Sequence, residues 1–110
     1  MTFSAATKHC KSMGAFLAES RSDEENDIIY NFMKHSIWLG ATDSANEGTW
    51  VWQSDGEGVC YDKWDPIESN QEDKDCPYMY SFNGLWRYAP CDSTIFFVCQ
   101  KKLEGNVLFF

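Results

Sequence analysis

The first stretch with a regular apolar pattern lies near the N-terminus and predicts a helix. Its apolar residues recur every three or four positions, which is the period of a helix that buries one face. Ser4 is the predicted N-cap, and Gly14 ends the pattern. The predicted buried face carries Phe3, Ala6, Cys10 and Met13.

A second helical pattern begins at Ser22. Ser22 and Glu25 have the spacing of a capping box, and the acidic residues of the first turn suit the helix dipole. We expect this helix to end near His35. Its predicted apolar face carries Ile28, Ile29, Phe32 and Met33.

After residue 36 the pattern changes to short runs of β-branched and aromatic residues, which favour strands. Asn83-Gly84 is a strong hairpin signal between two of these runs. Two helices followed by short antiparallel strands predict one α+β domain over residues 1–110. The predicted strands are Ile37–Ala41, Thr49–Trp52, Pro77–Phe82, Leu85–Tyr88 and Thr94–Gln100.

Residues 54–75 lack any apolar period and form a predicted long loop, anchored by Tyr61 and Trp64. The net charge of the chain is −8, and between Asp43 and Asp75 ten acidic and two basic residues account for all of it. Such a charge disfavours nucleic acid as a partner and favours cations or basic protein surfaces. No apolar run approaches the ~20 residues that span a membrane. No signal peptide is visible, so we expect a mature or trimmed chain, or one that is not secreted.

Five cysteines occur, at positions 10, 60, 76, 91 and 99, and none forms a Cys-x-x-Cys pair. Zinc-site spacing is therefore absent. So many cysteines in a small chain favour an oxidising compartment, with two disulfides within the chain and one cysteine left over. The alternative is a set of reduced, buried thiols in a cytosolic protein.

Several short motifs follow one another in a characteristic order. They are the helix with Cys10, Ser22-x-x-Glu25, Trp38-Leu39-Gly40, Glu47-Gly48-x-Trp50-x-Trp52, Trp64, Glu68-x-Asn70, Asp75-Cys76, Gly84-x-Trp86, Cys91 and Phe97-Val98-Cys99. Together, over roughly residues 1–101, they resemble a C-type lectin-like domain. The resemblance implies a fold of two helices, a small antiparallel sheet and a long ligand-binding loop.

The resemblance also implies which cysteines pair. The two disulfides of the family would be Cys10–Cys99 and Cys76–Cys91. Cys60 is then left over in a glycine-containing segment, and an exposed lone thiol in an oxidising compartment tends to pair between chains. We expect a disulfide-linked dimer through Cys60, or a mixed disulfide with another subunit; the alternative is a buried, unpaired cysteine.

The sugar-type calcium site of the family is only partly represented. Glu68 and Asn70 match the two oxygen ligands of its triplet, but Ser69 replaces the family's cis-proline. Arg87 and Tyr88 stand where two further oxygen ligands are found, and Lys74 stands where a Glu is needed. We therefore expect no calcium at Glu68 and Asn70, because positive charge at ligand positions repels a divalent cation.

The family also has a second, structural calcium site with different ligand positions. Four residues of this chain match those positions by resemblance: Asp43, Glu47, Gln71 and Asp75. Three of the four are carboxylates, which are suitable hard oxygen ligands for calcium. At best, weak calcium binding is expected there. The alternative is that Asp43 caps a turn and Glu47 points to water.

In place of calcium ligands, Arg87 supplies the N–H donors of its guanidinium group and Tyr88 supplies the face of an aromatic ring. With Trp64, they could bind a carboxylate, a sulfate or a sugar face directly. The alternative is that Tyr88 packs in the core and Arg87 pairs with Glu68 or Asp75.

The leading functional prediction is a secreted or extracellular recognition module that binds a glycan or glycoprotein through the long loop. The rival prediction is a calcium-independent protein-interaction domain, or an acidic domain that binds a mineral or cations. An enzyme is not expected, since two histidines without a Ser/His/Asp arrangement give no basis for catalysis.

Residues 102–110 form an extension beyond the resemblance. The family normally starts with a strand that pairs with the last one, and this chain begins at the first helix. Gly105-Asn106 is a turn signal, and Val107–Phe110 is strand-like. We hypothesise that this tail folds back on Thr94–Gln100 and replaces the missing strand; the alternative is a disordered terminus.

Overall fold

The computed structural model describes residues 1–33, 35–43, 45–46, 48–66, 76–103 and 106–110. It is an α+β structure of two helices and short antiparallel strands, which confirms the predicted fold class. The helices are α1 (Phe3–Ser12) and α2 (Asp23–Phe32). The strands are β1 (Phe16–Leu17), β2 (Ile37–Trp38), β3 (Ala41–Thr42), β4 (Val51–Trp52), β5 (Cys76–Met79), β6 (Trp86–Ala89), β7 (Cys99–Leu103) and β8 (Asn106–Phe109).

The N-cap of helix α1 lies two residues before the predicted cap. The side chain of Thr2, and not Ser4, accepts a hydrogen bond from the Ala5 N–H at 3.2 Å. The prediction failed because both residues are good caps and only the backbone geometry decides between them. Gly14 follows the helix with a φ of 71°, which confirms the predicted glycine stop.

Helix α2 has the predicted capping box but not the predicted apolar face. The Ser22 hydroxyl accepts from the Glu25 N–H at 3.1 Å, and the Glu25 carboxylate accepts from the Arg21 N–H at 2.9 Å. The helix ends at Phe32, earlier than predicted. Ile28 and Phe32 are exposed, because the buried face is turned towards Asn26, Ile29 and Met33 instead.

The strands form three small sheets, with the orders β1-β7-β8, β2-β5-β6 and β3-β4. The predicted strand Ile37–Ala41 is divided into β2 and β3 at Gly40. The Gly40 N–H donates to Ala18 O, and the Gly40 carbonyl accepts from Gln53 N, each at 2.8 Å. Both backbone groups of Gly40 therefore bond outside the sheets. A Cβ at this position would lie 2.9 Å from Leu17 O, so the close approach requires glycine.

The β5–β6 hairpin carries the candidate site and turns at the predicted Asn83-Gly84. Cys76 is opposite Ala89, and Met79 is opposite Trp86. Gly84 has a φ of 72°, and its N–H donates to Tyr80 O. The predicted hairpin is therefore confirmed, but β5 ends at Met79 and not at the predicted Phe82.

The C-terminal strands lie further along the chain than predicted. The predicted strand was Thr94–Gln100, but β7 begins only at Cys99. The chain near Phe96 bonds to β2 instead, where Trp38 N donates to Phe96 O at 3.0 Å. Strand β8 pairs antiparallel with β7, with Gln100 opposite Phe109.

Two buried clusters form the core, one around Trp86 and Ile29 and the other around Trp38 and Leu17. Disulfides join Cys10 to Cys99 and Cys76 to Cys91, which are the pairs that the resemblance implies. Cys60 carries a free, exposed thiol. Neither described helix has the length and apolar character needed to cross a membrane.

Candidate ligand-binding site

The long loop is tied to the body of the domain at its start by a buried carboxylate. Glu19 is 3% exposed, and its two oxygens accept from the hydroxyl and the N–H of Ser54 at 2.8 and 3.1 Å. Arg21 donates to Glu19 at 2.8 Å and to Asp55 at 3.0 Å. These neighbours raise the pKa of Arg21, although burial acts in the opposite direction. The first residues of the loop are thereby fixed.

A second attachment joins the middle of the loop to the first turn of α2. The Tyr61 hydroxyl donates to Asp23 at 2.8 Å, and the Lys63 ammonium lies 3.2 Å from the same carboxylate. The hydrogen bond from Tyr61, followed by Lys63, lowers the pKa of Asp23. Burial, followed by the bond to Asp23, raises the pKa of Tyr61.

The loop then runs beside β6, which positions an aromatic cluster of Trp50, Trp64 and Tyr88. Trp86 N donates to Lys63 O, and Asp65 N donates to Trp86 O. The rings of Trp64 and Tyr88 are stacked, with centroids 4.4 Å apart and an interplanar angle of 19°. The Trp50 ring lies 5.5 Å from Tyr88 and 5.4 Å from Trp64. All three side chains are half-buried, so the cluster retains solvent-accessible surface.

Arg87 lies on the other face of β6, since successive side chains of a strand alternate. Its Nε and Nη2 donate to the same oxygen of Asp65, each at 3.1 Å. The guanidinium also lies 4.1 Å from the centre of the Tyr80 ring. Burial lowers the pKa of Arg87, but the hydrogen bond and charge of Asp65 raise it by more.

The structure brings together two of the five predicted ligand-binding residues, Trp64 and Tyr88. Arg87 is separated from them by the strand and pairs with Asp65. Glu68 and Asn70 lie outside the described residues, so neither is placed here.

Of the four predicted structural calcium ligands, only Asp43 falls within the described part of the chain. Its side chain is buried, and its Oδ2 accepts from the Gly48 N–H at 3.0 Å. Glu47, Gln71 and Asp75 are outside the described residues. The described segments contain no group of three or more His, Cys, Asp or Glu side chains that could hold a metal ion.

Two of the family's sugar-type calcium positions, Arg87 and Tyr88, lie within the described residues, and neither carries a carboxylate or amide oxygen. Arg87 and Tyr88 supply a guanidinium and a phenol ring where the family has oxygen ligands. The guanidinium is held in place by Asp65, so it cannot leave without breaking that pair. A divalent cation beside it would be repelled.

Sequence reasoning missed Trp50 and Asp65 as members of the site. Trp50 was recognised only as part of a motif, and it completes the aromatic cluster. Asp65 was counted only as one loop carboxylate, although it is buried and holds Arg87. No local signal in the sequence marks Asp65, because its partner lies 22 residues away.

Comparison with known proteins places this arrangement in a family. The family model for the lectin C-type domain matches residues 1–101. A perlucin-like protein of Mytilus galloprovincialis is 33% identical over 96 residues, which cover 80% of this chain and 62% of the relative. Human tetranectin is 32% identical over 110 residues, covering 90% of this chain and 54% of the relative. The chain thus spans little more than half the length of these curated relatives.

Solved structures with a similar fold are also related to C-type lectins. The carbohydrate-recognition domain of the mouse scavenger receptor C-type lectin has a TM-score of 0.85 at 29% identity, covering 94% of this chain and 84% of that one. A calcium-independent type II antifreeze protein has a TM-score of 0.83 at 29% identity, covering 90% and 77%. This chain therefore belongs to the C-type lectin domain family, whose members are recognition modules and not enzymes.

Proposed function

We propose that the chain is an extracellular recognition module that binds carbohydrate without calcium, through the aromatic cluster of Trp50, Trp64 and Tyr88. The observation that carries the proposal is the half-buried Trp64–Tyr88 stack beside the long loop. The face of an aromatic ring carries negative potential, and the C–H face of a sugar ring is weakly positive, so the two attract.

The charge of the surrounding chain narrows the class of sugar. Residues 43–75 carry a net charge of −8. A sulfated or carboxylated glycan would be repelled by this part of the chain. Neutral sugars and amino sugars are therefore the expected ligands.

A glycan array in calcium and in chelator tests the proposal, followed by titration of the best ligand against variants. We expect chelator to leave binding unchanged. Trp64→Ala removes one stacking surface and should weaken binding by about tenfold, since an aromatic contact contributes ~0.5–1.5 kcal/mol beyond buried area. Phe82→Ala is the matched control, because Phe82 is an exposed aromatic residue on the β5–β6 turn.

Tyr88→Phe separates stacking from hydrogen bonding at the same position, since it keeps the ring and removes the hydroxyl. Binding should survive this change and be lost in Tyr88→Ala. Glycan binding that chelator abolishes, or that both Trp64→Ala and Tyr88→Ala leave intact, would refute the proposal.

The extracellular location is supported by the two disulfides, which persist in oxidising compartments. The exposed thiol of Cys60 supports an interchain disulfide, and with it the alternative role of a calcium-independent protein-interaction domain. A non-reducing gel of the secreted protein, compared with Cys60→Ser, tests the covalent dimer. A monomer band in both samples would count against it.

We further propose that residues 102–110 belong to the single domain of residues 1–110, with β8 as the replacement for the family's first strand. The support is the pairing of β8 with β7. Deleting residues 106–110 should then expose the edge of β7 and speed hydrogen exchange at Lys101 N–H. Unchanged exchange at that amide would argue for a terminus without a structural role.

A further inference from the structure

Strand β8 has an open outer edge. Phe110 and Cys99 exchange N–H···O bonds of 2.7 and 2.8 Å, and such bonded pairs alternate along an antiparallel ladder. The next bonded pair is therefore Lys101 with Leu108, and the backbone groups of Val107 and Phe109 point away from β7. Among the residues that the structure describes, none forms a hydrogen bond to these outward groups.

The open edge is also apolar on both faces. Val107 and Leu108 alternate across the strand, and the stretch 106–110 contains no charged side chain and no proline. Natural proteins usually protect an exposed edge with charge, proline or a bulge, because an open edge invites another strand. None of these protective features occurs in 106–110.

Helix α2 enlarges this apolar surface. The Phe32 ring lies 6.0 Å from the Phe109 ring. Ile28 and Val107 line one cleft of about 750 Å³, which is also lined by the charged side chains of Glu24, Glu25 and Lys101. Five large side chains of this region are 40–51% exposed, namely Ile28, Phe32, Val107, Leu108 and Phe110. The exposure of Ile28 and Phe32, which the helical pattern did not predict, thus adds to the apolar surface around β8, whose two faces carry Val107 and Leu108.

The area of this apolar surface reaches the lower limit of a specific protein interface. At ~200 Å² for a large apolar side chain, five half-exposed side chains offer roughly 500 Å² per copy. Two copies would bury roughly 1,000 Å², which reaches the size of a specific protein interface. The largest apolar patch of a typical monomer has about this size and is often functional.

We propose that two copies of this chain associate through β8, with Leu108 on the two-fold axis, so that two three-stranded sheets join into one of six strands. In this register Val107 faces Phe109 of the second copy, and each such pair exchanges two backbone bonds. The two Leu108 side chains meet directly, on the opposite face from Val107.

The oligomeric state tests the interface. In a Cys60→Ser background, which removes any covalent dimer, sedimentation from micromolar to submillimolar concentration should show a reversible dimer. Leu108→Lys places two like charges opposite each other and should raise the dimer dissociation constant by about tenfold or more. Phe82→Lys makes the same change at an exposed site on the β5–β6 turn and should leave the constant unchanged.

Cross-linking tests the register, independently of affinity. Residues opposite each other in a pair without backbone bonds have Cα atoms ~4.5 Å apart, within disulfide reach. Leu108→Cys in the Cys60→Ser background should therefore oxidise rapidly to a covalent dimer, and Phe82→Cys slowly. A monomer at every concentration, or equal oxidation rates for the two variants, would overturn the proposal.

Discussion

The pair formed by Asp65 and Arg87 offers the sharpest test of how the candidate site is held together. Asp65 is 6% exposed, and one of its oxygens accepts two bonds of 3.1 Å from the guanidinium. The same guanidinium lies over the Tyr80 ring. We predict that Arg87→Met, which keeps the length of the side chain and removes its charge, destabilises the domain strongly.

The expected cost follows from the contacts that are lost. A hydrogen bond to a charged group contributes about 1.5–3 kcal/mol, and a cation–π contact at a partly exposed site about 0.5–1 kcal/mol. Arg87→Met should therefore lower the free energy of unfolding by about 2–4 kcal/mol. Asp65→Asn keeps an acceptor and should cost about 1–2 kcal/mol. The double variant should lose less than the sum, with a coupling of about 1–3 kcal/mol.

Urea unfolding with the disulfides intact, followed by tryptophan fluorescence, measures all four proteins of this cycle. The exposed pair of Lys63 and Asp23 is the matched control, and Lys63→Met should cost at most about 1 kcal/mol. A coupling below about 0.5 kcal/mol between Asp65 and Arg87 would refute the reasoning, because distant, independent sites add to within that margin.

Three further predictions concern stability and metal binding. Replacing Cys76 and Cys91 together by Ala opens a disulfide across a sequence separation of 15 and should lower the unfolding free energy by about 3 kcal/mol, measured by urea unfolding. The hydrogen bond from Tyr61 lowers the pKa of Asp23 below its unfolded value, so its stabilisation is present at neutral pH and is lost as pH falls through the folded pKa. Asp23→Asn should therefore reduce the acid dependence of the urea midpoint, and an unchanged profile would contradict this. Calorimetry should show calcium binding no tighter than ~10⁻⁴ M, and Asp43→Asn should remove it; tight binding that survives this change would contradict the assignment.

The sequence predicts the helices well because their signals are local. The Ser22–Glu25 box and Gly14 act within a single helical turn, and the Asn83-Gly84 turn joins neighbouring strands. The exposed side of α2 was not predictable in the same way. The apolar period places Ile28 and Phe32 on the helix surface beside Ile29. Only the position of β8, which contacts Phe32 through Phe109, shows that this side of the helix stays partly exposed to solvent.

The candidate site was predicted in part, for a related reason. The motif order locates Trp64, Arg87 and Tyr88 in one region, but strand alternation sends Arg87 and Tyr88 to opposite faces. Asp65 and Arg87 are 22 residues apart, and nothing local distinguishes Asp65 from the other loop carboxylates. The partner of Arg87 therefore had to come from the fold, through the bonds that place Asp65 beside Trp86.

The polar contacts of Asn26 have a consequence for how the domain folds. Its buried side-chain oxygen accepts from the Ser20 hydroxyl and the Trp86 indole N–H, each at 2.9 Å, and its amide donates to Gly84 O at 3.1 Å. Two of these three bonds, those with Trp86 and Gly84, form only when α2 has met a hairpin that lies 58 to 60 residues further along the chain. If the helix docked without the hairpin, the Asn26 amide N–H would be buried without its Gly84 acceptor, at a cost of about 1–3 kcal/mol. States in which only one half of the chain is folded are thereby disfavoured, so Asn26 favours concerted, all-or-none folding and unfolding.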